Sequence, residues 1–228
     1  LAGFTASPRG KYSVEYGQGV KRGEYPGGLK VTRQTGGGFT VDTGKAVYRF
    51  EKDKLLPEEG WLVTDSGRTE IFKGSGSGAY VIDNTGRRGV VAGFKAEIEN
   101  IVLKEGPGRF VVRRSGWYVT EEGDRLGRAD IWLYFSAGSP CFRMTHSLIL
   151  TEDTNRVWFR DYGMEFRTAG KPGEVYFSAG DPLKPELKKV DAGGGETYMV
   201  QEEYPHFAER EYKAEIGRSV GGNDTLIE

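Results

Sequence analysis

Side chains that can take up or release a proton near neutral pH are scarce in these 228 residues: two histidines, His146 and His206, and one thiol, Cys141. A single cysteine cannot close an internal disulfide. With no CxxC pair and only two histidines, no zinc site built from His and Cys is expected, and neither a metal nor any other cofactor is assigned. Cys141 lies in a strand-like run and reads as a packed small residue rather than a nucleophile. Glu121-Glu122-Gly123-Asp124 offers oxygen ligands without the spacing of a calcium loop, so it reads as a solvated hairpin tip. The glycine-rich stretch from Gly74 to Gly78 has no GK[ST] and opens no helix, which makes it a flexible turn and not a phosphate loop. His146 is the sharpest candidate for chemistry, and what it can do depends on the element that points it.

That element is a strand. Over residues 140–150, Phe142, Met144, His146, Leu148 and Leu150 share one face while Cys141, Arg143, Thr145, Ser147 and Ile149 share the other. A period of two fits a strand whose first set faces a core. His146 then sits on the apolar side, and Arg143 points the opposite way. The same pattern predicts strands at 11–16, 29–33, 39–42, 46–51, 70–73, 79–83, 89–104, 109–120, 129–136, 156–168 and 174–178. Helical periodicity is nearly absent; short helices are expected only at 185–190 and 207–212. Ser136-Ala-Gly138-Ser139 is short enough for a hairpin, and Asp153-Thr-Asn155 serves as a second turn, so the strands at 129–136, 140–150 and 156–168 are expected to form a meander.

Composition agrees. The chain has 35 glycines, roughly twice the ~7% average share, clustered between apolar runs as turn punctuation. Lys+Arg 32 nearly cancels Asp+Glu 33, so a net charge of −1 gives no electrostatic case for nucleic acid. No apolar stretch approaches the ~20 residues of a membrane span. A start at Leu1 reads as a processed chain or an excised piece, with a secreted or cell-surface location expected. The expected architecture is all-β: an antiparallel β-sandwich over residues 41–228 behind an irregular or small-barrel-like segment at 1–40, with residues 11–16 as a possible donor strand.

The run SGWYVTEEGDRLGRADIWLYFSAG over residues 115–138, CFRMTH at 141–146, RDYGM at 160–164, VDTG at 41–44 and VQEEYPHF at 200–207 resemble the exo-rhamnogalacturonan lyase and YetA-like proteins. The resemblance implies their central β-sandwich, which in those proteins accompanies a C-terminal α/α toroid. No part of this sequence has the helical periodicity of a toroid, so its own residues are not expected to complete an active site.

Elimination across a uronate needs a base for the C5 proton, a cation for the carboxylate and an acid for the leaving oxygen. Under the resemblance, His146 is the candidate catalytic base, although its strand phase equally fits a hydrogen-bonded core histidine. Arg143, Arg160, Tyr162, Trp117 and Tyr134 are candidate substrate contacts. Arg160 and Tyr162, two apart, could line a sugar groove or simply pack across a solvated sheet face. Trp117 and Tyr118 point to opposite faces, as do Trp132 and Leu133, so one ring of each pair could hold a sugar. His206 reads as a loop residue. A pectin-type polysaccharide is the expected partner; the alternative is a structural subunit that self-associates by strand addition.

Overall fold

Alternation along the longest segments sends one set of side chains inward and the next outward, and the fold follows from it. The computed structural model describes residues 17–20, 28–73, 78–91, 98–170, 174–179, 186–191, 196–201, 214–220 and 223–227. Its regular elements are all strands, and every pairing among them is antiparallel. Among the described residues no helix is long and apolar enough to cross a membrane. The chain divides into two compact units, residues 1–169 and 170–228.

In the first unit, β1 (Lys30–Arg33), β2 (Phe39–Asp42), β3 (Ala46–Phe50), β4 (Glu59–Thr64) and β5 (Gly67–Lys73) form one sheet in chain order. The second sheet comprises β6 (Gly78–Asp83), β7 (Arg88–Val90), β8 (Glu99–Glu105), β9 (Arg109–Val119), β10 (Arg125–Ser136), β11 (Arg143–Leu150) and β12 (Phe159–Glu165). Its order is β11-β10-β9-β7-β6-β12, with β8 also paired to β9. Inward residues of both sheets share one core. Phe39, Val41, Tyr48 and Phe50 meet Phe110, Val112, Ile131, Leu133 and Phe135, all buried. The rings interlock across the sandwich: Phe39 stands edge-on to Phe110 at 5.8 Å, and Phe50 to Phe135 at 5.9 Å. Each such ring contributes about 1.5–3 kcal/mol by leaving water.

Two polar clips fix the ends. Thr43, fully buried in the β2–β3 turn, receives the Ala46 amide on its Oγ1 and donates to the Ser139 carbonyl at 2.7 Å. Gly138, at φ 73° in the β10–β11 hairpin, donates its amide back to the Thr43 carbonyl at 2.7 Å. At the β6–β7 turn the buried Asp83 carboxylate accepts the Thr85 amide and hydroxyl and the Arg87 amide and Nε. Burial alone would raise this carboxyl; the bonds from Thr85 and Arg87 together overcome that and hold it at about 2.

One inward position breaks the apolar pattern. Arg114 of β9 is fully buried, with its guanidinium 5.2 Å from the Phe39 ring and 5.3 Å from the Phe50 ring. Its Nη2 donates to the Glu51 and Lys52 carbonyls, at 2.6 and 3.3 Å, while Nε and Nη1 have no partner among the described residues. Burial pushes its pKa down, opposed by Asp53 and Glu51, and a guanidinium starts high enough to stay charged at neutral pH.

Several sequence expectations need correction. The strand at 156–168 does not extend the meander: β12 pairs with β6, and the meander is β9–β10–β11. The single strand expected over 89–104 is two, β7 and β8, both antiparallel to β9. Leu150 is 53% exposed, because the inward row of β11 runs out of opposing core at its end. In the second unit the helix expected at 185–190 is instead strand β14 (Glu186–Asp191), paired with β13 (Glu174–Ala179); cross-strand pairing overrides the helix-favouring Glu, Leu and Lys. β15 (Glu196–Gln201), β16 (Ala214–Val220) and β17 (Asn223–Ile227) form a three-stranded sheet. The strand expected at 11–16, the helix at 207–212 and His206 lie outside the described residues.

Two stability predictions follow from these buried charges. Arg114→Ala should cost about 3–5 kcal/mol in urea unfolding, whereas Arg114→Met, which refills the space, should cost under about 1.5 kcal/mol. Equal losses in the two variants would mean that charge and not packing holds the site. Because the folded Asp83 pKa lies below its ordinary value of 3.8, its contribution is complete above that value and disappears as pH falls through about 2. Asp83→Asn should therefore lose about 2 kcal/mol at pH 7 and only about 0.5 kcal/mol at pH 2, where the folded carboxyl is half protonated; an unchanged gap at both pH values would disprove the linkage.

Candidate functional site

The candidate residues fall on the two faces of one sheet. On the inner face, His146 of β11 is half-buried, and its Nε2 lies 2.7 Å from the hydroxyl of Tyr118, a fully buried residue of β9. The inward positions of β10 between them are Gly127 and Ala129, small enough to leave the phenol a path across the strand. A Cβ at Gly127 would stand 3.2 Å from the Ile149 carbonyl oxygen and 3.4 Å from Leu148 Cδ1. The His146 ring also lies 5.7 Å from that of Tyr162 on β12. Since β11 and β12 terminate opposite ends of the sheet order, the sheet curls until its edges approach at these two rings.

Burial lowers the His146 pKa and raises that of Tyr118, the latter with a further contribution from Tyr162. Both shifts favour the neutral pair. A base must offer a free lone pair to its substrate, and here Nε2 is already engaged by a phenol that resists ionisation. Within the described residues the two side chains form a hydrogen-bonded pair on the inner face. Tyr162, 54% exposed, covers it from the solvent side.

Arg160 does not join Tyr162. The β12–β6 register shifts between Phe159 and Asp161, which makes Arg160 the extra residue of a bulge. Its Nη2 stands 3.7 Å from the point where a Cβ on Gly86 would be, at the β6–β7 turn. The alternation that should have put Arg160 and Tyr162 on one face is reset at that bulge.

The outer face of β9–β10–β11 holds the rest. Register places Trp117 opposite Arg128, Ser115 opposite Asp130, Arg113 opposite Trp132, and Tyr134 between Val111 and Arg143. Arg125 lies over the Trp117 ring at 4.9 Å. Arg113 holds the Asp130 carboxylate through Nε and Nη2, at 3.0 and 2.6 Å, and the Ser115 hydroxyl donates to its other oxygen. Arg128 reaches Glu99 of β8 at 2.8 Å. Glu99, Arg128 and Ser115, with Ile98, Gly116 and Trp117, line an open concavity of about 320 Å³. At the other end of the face the Tyr134 ring receives Arg143 at 5.5 Å and Arg109 at 5.4 Å. Arg109 was not singled out by sequence; only the strand pairing brings it to Tyr134. Among the described residues no three His, Cys, Asp or Glu side chains are placed to hold a metal ion.

Two antiparallel sheets over one core, with rings and guanidinium groups ranked along one outward face, define a β-sandwich domain with a polar, aromatic-bearing surface. Residues 31–177 match the model of the PcRGLX-like protein central beta sandwich domain, and the chain belongs to that family. This is the central domain of the rhamnogalacturonan-lyase-like proteins that the sequence resembles. No curated protein and no solved structure matches the chain.

A double-mutant cycle tests the inner pair. Tyr118→Phe and His146→Ala should be coupled by about 1 kcal/mol in unfolding free energy. With the folded His146 pKa below its ordinary value of 6.5, stability should be complete above that pH and decline as pH falls below it, a decline that His146→Ala removes. Additive single losses would show that the two side chains do not act as a unit.

Proposed function

We propose that this domain is a carbohydrate-contacting module for pectin-type polysaccharide, without catalytic activity of its own, in a secreted or cell-surface setting. The observation that carries this reading is the outer face of β9–β10–β11, where Trp117, Trp132 and Tyr134 alternate with Arg113, Arg125, Arg128, Arg143 and Arg109. Flat rings accept the apolar faces of pyranose units, and guanidinium groups grip hydroxyls and carboxylates edge-on. From Trp117 to Arg109 the row spans eight residues of β9, roughly 26 Å, long enough to follow several sugar units. Membership of a lyase-associated family supports the class of ligand. The non-catalytic part of the proposal is supported by His146, neutral and engaged by Tyr118 on the opposite face.

A second reading, self-assembly by strand addition, draws on β11. That strand pairs only with β10 among the described residues, and it ends on Ile149 and Leu150, 40% and 53% exposed.

Sedimentation velocity and calorimetry with rhamnogalacturonan oligosaccharides separate the two. The module reading expects a species whose size is independent of protein concentration, and a glycan affinity that Trp117→Ala weakens roughly tenfold. Concentration-dependent polymers with no heat on adding glycan would replace it by strand addition.

A further inference from the structure

The arginines of the outer face are not in equal electrostatic positions. Arg113 and Arg128 are committed to Asp130 and Glu99. Arg109 and Arg143 instead lie against the single ring of Tyr134, at 5.4 and 5.5 Å, and neither has a carboxylate partner among the described residues. A guanidinium that meets a ring spends little of its hydrogen-bonding capacity there, since its five N–H donors remain for a planar acceptor. Both side chains are exposed and Tyr134 is half-buried, so the ring carries a solvent-accessible donor group at each of two contacts.

The register explains why the cations gather at this end. Arg143 stands directly across from Tyr134, Arg109 is the diagonal neighbour opposite Ser136, and Lys104 of β8 lies opposite Val111 in the same row. The nearest acid, Glu105, is opposite the inward Phe110 and is paired with Arg33, and the acids of the outer face lie further off. Asp130 is four residues back along β10, about 13 Å, and Glu99 is opposite Ser115, six residues from Arg109 and about 20 Å away. Both separations exceed the Debye length of ~8 Å at physiological salt, so neither acid neutralises the cationic end.

We propose that Arg109 and Arg143 form an anion clamp across Tyr134 that takes the charged group of an acidic sugar while the ring supports its flat face. The inference rests on the glycan reading only for the sugar; the clamp itself is a claim about anions. A planar carboxylate and a tetrahedral sulfate ester can each present two anionic oxygens to such a fork, and the experiment distinguishes them.

Arginine Nε–Hε signals of the full chain would be followed by NMR during titration with trigalacturonate, its methyl ester, a sulfated neutral trisaccharide and inorganic sulfate. The expected result is that trigalacturonate moves the Arg109 and Arg143 signals saturably and the ester binds about tenfold or more weakly. The double variant R109Q/R143Q should remove that difference while its unfolding midpoint stays at the wild-type value. Tighter binding of the sulfated sugar would assign the clamp to sulfate esters. Equal affinity for acid and ester, unchanged in R109Q/R143Q, would overturn the clamp and leave the glycan module standing. If no sugar binds but sulfate still moves both signals, the glycan reading falls and the clamp survives. If no anion moves either signal, the clamp is overturned.

Discussion

The pairing register between β9 and β10 is the constraint on which everything else in the first unit depends. Eleven and twelve residues long, these strands run side by side from Arg109 opposite Ser136 to Val119 opposite Arg125. That register turns Phe110, Val112 and Tyr118 inward together with Ile131, Leu133 and Phe135, and Arg113, Ser115 and Trp117 outward together with Arg128, Asp130 and Tyr134. A slip of one residue would exchange the two sets. It would put bare rings in water and bury Arg113 and Arg128 without their carboxylates, an outcome costly on both faces. The apolar core and the polar outer surface are thus two results of one choice.

Arg114 shows how strongly that choice is enforced. Alternation sends it inward whatever its chemistry, and the core accommodates a cation that it would otherwise exclude. The accommodation is partial: two rings and two carbonyl oxygens receive it, while Nε and Nη1 meet no acceptor among the described residues. A charge held this way is a weak source of stability, so its worth lies in the space its stem and head fill. His146 is the milder version of the same effect, an inward polar residue satisfied by a partner two strands away because Gly127 and Ala129 leave room.

What the sequence revealed and what it hid divide along the same line. Local alternation was enough for β2, β3, β6 and β9, for the hairpin at Gly138, and for placing His146 and Arg143 on opposite faces. The resemblance added the sandwich and its family. Pairing between distant segments was not legible. β12 follows β11 after eight residues yet joins β6 at the other end of the sheet order. A bulge at Arg160 adds one residue and so resets the alternation, which no count of period two can foresee. Arg109 escaped notice since nothing in its neighbourhood marks it; it matters only through Tyr134, twenty-five positions later in the chain. β4 escaped for another reason: Gly60 and Trp61 sit at an irregular register, so its alternation is broken just where it should announce itself.

Net charge misleads in this molecule for a related physical reason. Acids and bases cancel over the whole chain, and that cancellation argues against a partner chosen by long-range attraction. Recognition at contact is governed by charges within a screening length, and there the arrangement is far from neutral. On the outer face, acids are bonded to Arg113 and Arg128, whereas Arg109, Arg143 and Lys104 at the opposite end have no carboxylate partner among the described residues, the nearby Glu105 being paired with Arg33. Pairing thus offsets the charge at one end of the row, which under the proposed glycan reading leaves its rings for an uncharged sugar. The other end keeps its donors free. A surface graded in this way has a direction, and under the proposed glycan reading a polymer whose charged units recur at intervals would be held in one register along it and one polarity, without any need for an overall positive charge.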